Sequence, residues 1–462
     1  MAGLSSPGLG SGLDINSLVS QLVAAEKAPA QAQLTRSQTA TVTTISALGS
    51  LKGALGAFNA ALTPLKSLES FSARSATASD VSIFTASATN AASQGSYDIQ
   101  VESLASAHQL TSDPFVSGAG QVVGTGTLTI ASGENSFQVN VDASHNTLAQ
   151  IRDAINQATG NEDLVRATIV NAADGAHLVL SAVATGEDAA ITVAQSDGDG
   201  GLASLVYNPT LTTNYAQQRA AADSVVYIAG FEHHSATNTI DDAIEGVSIT
   251  LLDAEPGETF SLTIANDTNA TTGRIKNFVD QYNALAKTIG SLRSYEPATK
   301  RAGPLLGDAM LRGIETELRS KLTGTASGIT GPYQTLASVG ITTEKDGTLK
   351  LDAAKLNAAM ASNYDGVASL FGSANGVAAR MSDALTPRLA TDSELDVRTK
   401  RLNQRSVSLQ KDQAALEARM LKVESRYRAQ FTALDSLLSK LQNTSAFLEQ
   451  QLSSIANISK RD

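Results

Sequence analysis

His233 and His234 stand side by side, and paired imidazoles can ligate a metal when further donors converge on them. Adjacent residues on a strand point to opposite faces, and no third donor lies close in sequence, so no metal site is expected here. Asp197-Gly-Asp-Gly-Gly has the flavour of a calcium loop, but Gly201 stands where a ligand belongs and Asn208 replaces the closing glutamate; the reading is a turn. Gly8-Leu-Gly-Ser-Gly follows no strand and lacks the full GxGxxG spacing of a dinucleotide loop. Asp241-Asp242 pairs two carboxylates by sequence, yet neighbouring residues do not converge on one substrate. No Walker loop, nucleophile elbow or HExxH motif occurs, and neither enzymatic activity nor a cofactor is expected.

Composition narrows the classes further. The 462 residues include no cysteine, which excludes disulfides, thiolate metal sites and a cysteine nucleophile. Acidic residues outnumber basic ones, 45 to 34, for a net charge of −11, which argues against nucleic-acid binding. The N-terminus has no basic n-region, and Asp14 and Glu26 interrupt any apolar run, so no cleavable signal peptide is expected. No uncharged stretch approaches the ~20 residues that span a bilayer, and no membrane insertion is expected. Aromatics make up 4% and tryptophan is absent, so the cores must rest on Leu, Val, Ile and Ala.

The elements that would position any function change texture twice along the chain. Asp14 is a candidate N-cap, followed by an apolar stripe at Ile15, Leu18, Val19, Leu22 and Val23. Ala28-Pro29 predicts a break. A second helix then carries Leu48, Leu51, Leu55, Phe58, Leu62 and Leu65 at alternating spacings of three and four, a coiled-coil seam that Pro64 should end or kink. From about 80 to 272 the period shortens to two. Short runs such as Tyr97–Leu104, Thr125–Ile130, Ser136–Val141, Ala176–Ser181, Val225–Ile228, Val247–Leu252 and Phe260–Ile264 read as strands, with one helix at Thr147–Asn156. Helices return at 273–292, 308–322, 353–361 and 364–370, with a tight turn at Asp346-Gly347. From Asp396 to about Ala456 the chain predicts one near-continuous helix. Met420, Tyr427, Leu434, Leu441, Leu448 and Ile455 recur there every seven residues, beside a companion row that slips near Gln430.

These patterns give an α+β multidomain protein, in which N- and C-terminal coiled-coil helices form a stalk or leg with a helical bundle, and a β-rich head of two domains is inserted between them. The expected division is a leg of 1–70 and 396–462, a helical stalk of 71–80 and 272–395, a β-rich head of 81–118 and 197–271, and an outer head of 119–196. The two ends are expected to meet. Six apolar positions at ~1.5–3 kcal/mol each represent on the order of 10 kcal/mol that water opposes, so the seam needs cover. The other terminus can cover part of it, and the rest implies neighbouring copies or another helical protein; the competing reading is a helical hairpin within a monomer. Residues assigned to the seam are Leu48, Leu51, Leu55, Phe58, Leu62, Met420, Tyr427, Leu434, Leu441, Leu448 and Ile455. Arg398–Arg428 carries nine basic residues against Asp412, Glu417 and Glu424. This is either a solvated face or one that meets an acidic face of a neighbouring subunit.

Several motifs bear a family likeness. Gly8-Leu-Gly-Ser-Gly-Leu-Asp-Ile-Asn-Ser-Leu-Val-Ser-Gln-Leu and the tail Tyr427-Arg-Ala-Gln-Phe-Thr-Ala-Leu-Asp resemble the terminal signatures of the flagellar filament-capping proteins, also called hook-associated protein 2. Ser96-Tyr-Asp-Ile-Gln-Val-Glu-Ser-Leu-Ala, Glu245-Gly-Val-Ser-Ile-Thr-Leu, Asn277-Phe-Val-Asp-Gln-Tyr-Asn-Ala-Leu, Leu305-Leu-Gly-Asp and Gly340-Ile-Thr-Thr-Glu-Lys-Asp-Gly-Thr-Leu are similar to that family as well. Gly126–Val193, with Thr147-Leu-Ala-Gln-Ile-Arg-Asp-Ala-Ile-Asn, looks like the strand–helix motif of flagellin and hook proteins.

The resemblance implies a secreted, non-enzymatic protein at the filament tip. It would leave the cell through the flagellar type III export channel, guided by a cytoplasmic chaperone. It would form a ring-like homo-oligomer, commonly a pentamer, beyond the hook–filament junction protein, and promote folding and insertion of flagellin while preventing its loss. Some members also bind host mucin and so serve cell adhesion, a property that varies across the family and is not assigned here. Another axial protein, a junction protein or flagellin, would share the helical ends but fits the opening motif less well. A coiled-coil-stalked surface adhesin would need a secretion signal or anchor.

Overall fold

The structure, a computed structural model, describes residues 14–210, 212–325, 328–329 and 331–458. Its helices are α1 (Ile15–Leu62), α2 (Leu148–Gln157), α3 (Thr268–Leu292), α4 (Ala309–Thr323), α5 (Ala353–Gly372), α6 (Val377–Leu389) and α7 (Glu394–Ile458). The chain divides into two compact units. One takes the residues up to Leu68 and from Thr272 onward, and the other takes Glu69–Thr271.

The helical unit is built from the two ends of the sequence. Asp14 caps α1 by accepting a hydrogen bond from the Ser17 N–H at 3.0 Å, satisfying an orphan donor of the first turn. The break expected at Ala28-Pro29 does not occur: α1 runs through Pro29 for 48 residues. Proline removes only one helical hydrogen bond, and packing of Val23, Ala30 and Leu34 against α7 on both sides of it holds the helix together. Pro64 acts as expected, for α1 stops at Leu62 and a 3₁₀ turn covers Thr63–Leu65.

Leu48, Leu51, Leu55, Phe58 and Leu62 are all fully buried in this unit. The Phe58 ring sits 5.7 Å from Phe278 and 5.6 Å from Tyr282 of α3, and Phe278 in turn meets Phe371 of α5 at 6.0 Å. In α5 the two expected helices join across a non-helical Asn363. Helix α6 lies in a stretch where the sequence pattern predicts no helix. No helix among the described residues is long and apolar enough to cross a membrane.

The β-rich unit holds two separate cores. In the inner one, a five-stranded sheet runs in the order Arg74–Ala78, Phe260–Asn266, Gly95–Ser103, Ser224–Ile228, Phe231–Ser235. It faces a three-stranded sheet of Thr239–Ile244, Val247–Leu251 and Phe84–Ala88 over Phe84, Ile99, Val101, Val226 and Leu262. The segment 71–80, expected in the helical stalk, supplies the strand Arg74–Ala78 and belongs to this sheet.

In the outer core, one sheet has the order Thr212–Thr213, Tyr207–Asn208, Ile191–Ser196, Gly126–Ser132, Asn135–Val141, and the other Tyr215–Arg219, Ala107–Ser112, Gly175–Thr185, Val165–Ala172. Strands 107–112 and 215–219, assigned by sequence to the inner head, therefore pack with the outer core. Helix α2 enters with a Thr147/Gln150 capping box and buries Leu148, Ile151 and Ile155 in that core. His108 is buried there, with Nδ1 accepting the Ile191 N–H at 2.8 Å. His177 bonds the Ser112 carbonyl at 2.7 Å and Asp174 at 3.0 Å.

Charge is divided as sharply as structure. The β-rich unit contains 24 acidic residues, four arginines and no lysine, a balance of −20, while the rest of the chain carries 30 basic and 21 acidic residues, a balance of +9.

Candidate assembly surface

Helices α1 and α7 lie antiparallel, and their register follows from polar pairs along the contact. Gln31 and Gln413 exchange amide hydrogen bonds at 2.9 and 2.8 Å. Tyr427 donates to Glu26 at 3.0 Å, and Arg428 donates to Asn16 at 2.6 Å. Between them Leu416, Met420 and Val423 bury against Val23, Ala30 and Leu34, with Tyr427 at the margin and the Arg426 guanidinium 5.2 Å from its ring. The described part of α1 begins just beyond Asn16, opposite Arg428, and α7 continues for 30 further residues.

Past that point no described residue of α1 lies opposite the seam. Leu434, Leu441 and Leu448 are 43%, 57% and 55% exposed, and Leu437, Phe447 and Leu452 are exposed beside them. The side chain of Ile455 lies outside the described residues, as does the Gly8–Leu13 part of the opening motif. Nine of the eleven seam residues thus fall into two groups. Leu48, Leu51, Leu55, Phe58, Leu62 and Met420 are covered within the single chain, so they are not the part of the seam that calls for a neighbour. An isolated monomer already satisfies their apolar surface. Leu434, Leu441 and Leu448 remain open, and Tyr427 is half-buried at the boundary.

The basic stretch is split in a similar way. Arg398 pairs with Asp308, Lys400 with Asp392 and Asp396, Arg426 with Glu26, and Arg428 with Glu424. Arg401, Arg405, Lys411, Arg419 and Lys422 are exposed and make no ion pair among the described residues. Hydrogen bonds from Lys400 and from the Asp392 N–H hold the Asp396 carboxyl below the usual range. The carboxylate of the Arg398–Asp308 pair is mostly buried, whereas the pairs Lys400–Asp392, Arg426–Glu26 and Arg428–Glu424 are largely exposed and contribute little to stability by themselves.

The residues that first suggested chemistry are engaged elsewhere. His233 lies 3.3 Å from Asp242 and His234 2.9 Å from Glu232, each with its own acid. Among the described residues, no group of three or more His, Asp or Glu is placed to hold a metal. In the 197–201 loop, Asp199 accepts the Thr125 and Gly201 N–H groups, both at 2.9 Å, and these bonds lower its pKa. Gly198 there has φ +82°, and a Cβ would fall 1.9 Å from the Thr125 carbonyl oxygen. The loop is a tight turn closed by its carboxylate.

Comparison with known proteins agrees with this layout. Residues 11–108 match the family described as Flagellar hook-associated protein 2 N-terminus, and residues 221–443 match Flagellar hook-associated protein 2 C-terminus. The chain is 35% identical to the flagellar hook-associated protein 2 of Escherichia coli K12, covering 99% of this chain and all of that one. It is 36% identical to the B-type flagellar hook-associated protein 2 of Pseudomonas aeruginosa PAO1, over 82% of each. The crystal structure of the D1-D2-D3 domains of the Escherichia coli flagellar cap protein FliD superposes with a TM-score of 0.60 at 34% identity, covering 77% of this chain and 99% of that one. With two helical ends around a two-core β insertion and likeness along nearly its whole length, the chain belongs to the flagellar hook-associated protein 2 family.

Proposed function

We infer that this protein is the cap of a bacterial flagellar filament, a structural and non-enzymatic component that works outside the cell at the filament tip. One observation carries the reading: in a chain of this family, the distal part of α7 leaves a row of large apolar side chains in water. Leu434, Leu441 and Leu448 then form the part of the seam that sister copies and the axial proteins below them cover. Ordering of that helix on assembly is offset by burial of its apolar row. The proposal includes a ring of copies, with five favoured, contact with flagellin and with the hook–filament junction protein, and export through the type III channel with a cytoplasmic chaperone. The five unpaired basic residues of α7 suit an acidic neighbour in that assembly. The two β cores serve as the head, and the terminal helices beyond the bundle serve as the leg.

The test is a Leu434→Asp/Leu441→Asp variant alongside a gene deletion. The deletion should spill monomeric flagellin into the medium, wild type should restore filaments, and the variant should fold as a monomer yet form no ring and restore none. Normal filaments from the deletion strain, or full complementation by the variant, would refute the proposal.

A further inference from the structure

Strand Val165–Ala172 is an outside strand of its sheet, beyond Gly175–Thr185. It pairs with that neighbour in unbroken register over eight residues, from Val165↔Ala182 to Ala172↔Gly175. The strand at the opposite edge, Tyr215–Arg219, is interrupted by a register shift between Gln217 and Arg219. A straight outer strand offers a row of N–H and C=O groups to any chain that can add to it, and proteins blunt such edges with bulges, prolines or lysines. Strand Val165–Ala172 has none of these. Its run Ala167-Thr-Ile-Val-Asn-Ala is uncharged and rich in strand formers, the composition of segments prone to edge pairing.

The ladder fixes which groups face outward. Leu178 and Ala176 of the neighbouring strand donate their N–H groups away from it, to the Ser112 hydroxyl and the Phe115 carbonyl. By the alternation of an antiparallel pair, Val165, Ala167, Ile169 and Asn171 therefore turn their backbone groups to the open side.

Two side-chain amides meet the first two of these residues. Asn161 donates from Nδ2 to the Val165 carbonyl at 2.9 Å and accepts the Val165 N–H on Oδ1 at 2.9 Å. Asn156 donates to the Ala167 carbonyl at 2.8 Å and accepts the Ala167 N–H at 2.9 Å. A primary amide presents one acceptor beside a donor pair, so each side chain reproduces what a residue of an adjoining strand would offer. Asn156 is the last residue of the Thr147–Asn156 motif, and it is carried on α2, which is anchored by Leu148, Ile151 and Ile155. Asn161 is itself buried and also donates to the Ile155 carbonyl at 2.7 Å, closing the end of the same helix. Beyond Ala167 no side-chain amide among the described residues meets the outward backbone groups in this way, and Val170 is 52% exposed.

We propose that Asn156 and Asn161 act as a strand surrogate that closes this edge and prevents strand-to-strand pairing with the same edge of a second copy of the chain. Identical edges can join antiparallel across a two-fold axis, a contact that competes with any ordered assembly.

Residue-resolved hydrogen exchange on the full chain reads the lock directly. In wild type, the amides of Val165 and Ala167 should exchange about tenfold or more slowly than those of Ile169 and Asn171. Asn156→Ala should release Ala167 alone. The Asn156→Ala/Asn161→Ala variant should associate further as concentration rises in sedimentation velocity. Adding Asn171→Pro should abolish that gain, because the lost N–H faces outward and costs no ladder bond. Equal exchange at all four wild-type positions would overturn the proposal. So would a double variant that keeps wild-type exchange elsewhere in the chain and sediments as wild type at every concentration.

Discussion

Replacing Phe58 with alanine separates a chain that covers its own inner seam from one that needs a neighbour to do so. The side chain is fully buried and its ring contacts two others at 5.7 and 5.6 Å. A buried Phe→Ala change costs about 3–5 kcal/mol through lost transfer energy and the cavity left behind. Each ring pair adds roughly 0.5–1.5 kcal/mol beyond area, so a loss near the upper end, about 4–5 kcal/mol, is expected. With a urea m-value of about 2 kcal/mol/M, the midpoint should fall by roughly 2 M. The assay is urea unfolding followed by helical circular dichroism, run at two well-separated protein concentrations. The shift should be the same at both, because the contacts lie within one chain. As a control, Leu448→Ala should leave the monomer within about 0.5 kcal/mol of wild type, since that side chain already faces water. A Phe58→Ala loss below about 1 kcal/mol, or a midpoint shift that depends on concentration, would refute the burial argument.

Three further outcomes follow from local geometry. The Ser112 carbonyl and Asp174 raise the pKa of His177 above its ordinary value. Its contribution to stability is therefore complete below about pH 6.5 and is lost as pH rises through the folded value; thermal unfolding should show this loss, and His177→Gln should flatten it. Gly198→Ala should destabilise the β-rich unit by about 1–3 kcal/mol through its left-handed backbone, with more from the clash at the Thr125 carbonyl, measured as a lower melting midpoint. Pro29→Ala should stabilise α1 by up to ~3 kcal/mol, since an exposed interior proline gives way to the best helix former; an unchanged midpoint would mean that α1 tolerates its missing bond without cost.

Much of this architecture is legible in the residues, and the failures have physical causes. The heptad rows and Asp14 marked α1 and α7 because long periodic helices leave a strong imprint. Pro29 misled, because a local preference for breaking yielded to packing on α7. Strands Arg74–Ala78 and Phe84–Ala88 are not legible because Ala, Ser and Thr give no apolar alternation, and their place is decided by partners such as Asn266 for Arg74 and Leu251 for Phe84, far away in the chain. The seam itself was visible, but sequence periodicity shows only that a face wants cover. Which partner provides it depends on register, and that is set by contacts such as Gln31 with Gln413. The two edge-closing asparagines were invisible for the same reason. Asn156 reads as an ordinary polar end to a helix until the strand it faces is known.

The division of charge between the units reaches beyond assembly. An overall isoelectric point near 5.0 describes neither half of the molecule, one of which is strongly anionic and the other cationic. Added salt should therefore act in two directions at once, weakening attraction between the helical unit and acidic surfaces while relaxing repulsion among the carboxylates of the β-rich unit. Because the β-rich unit has no lysine, amine-directed labels and cross-linkers can attach only to the helical unit. Tags placed by that chemistry would report on the helical unit and leave the β-rich unit unlabelled.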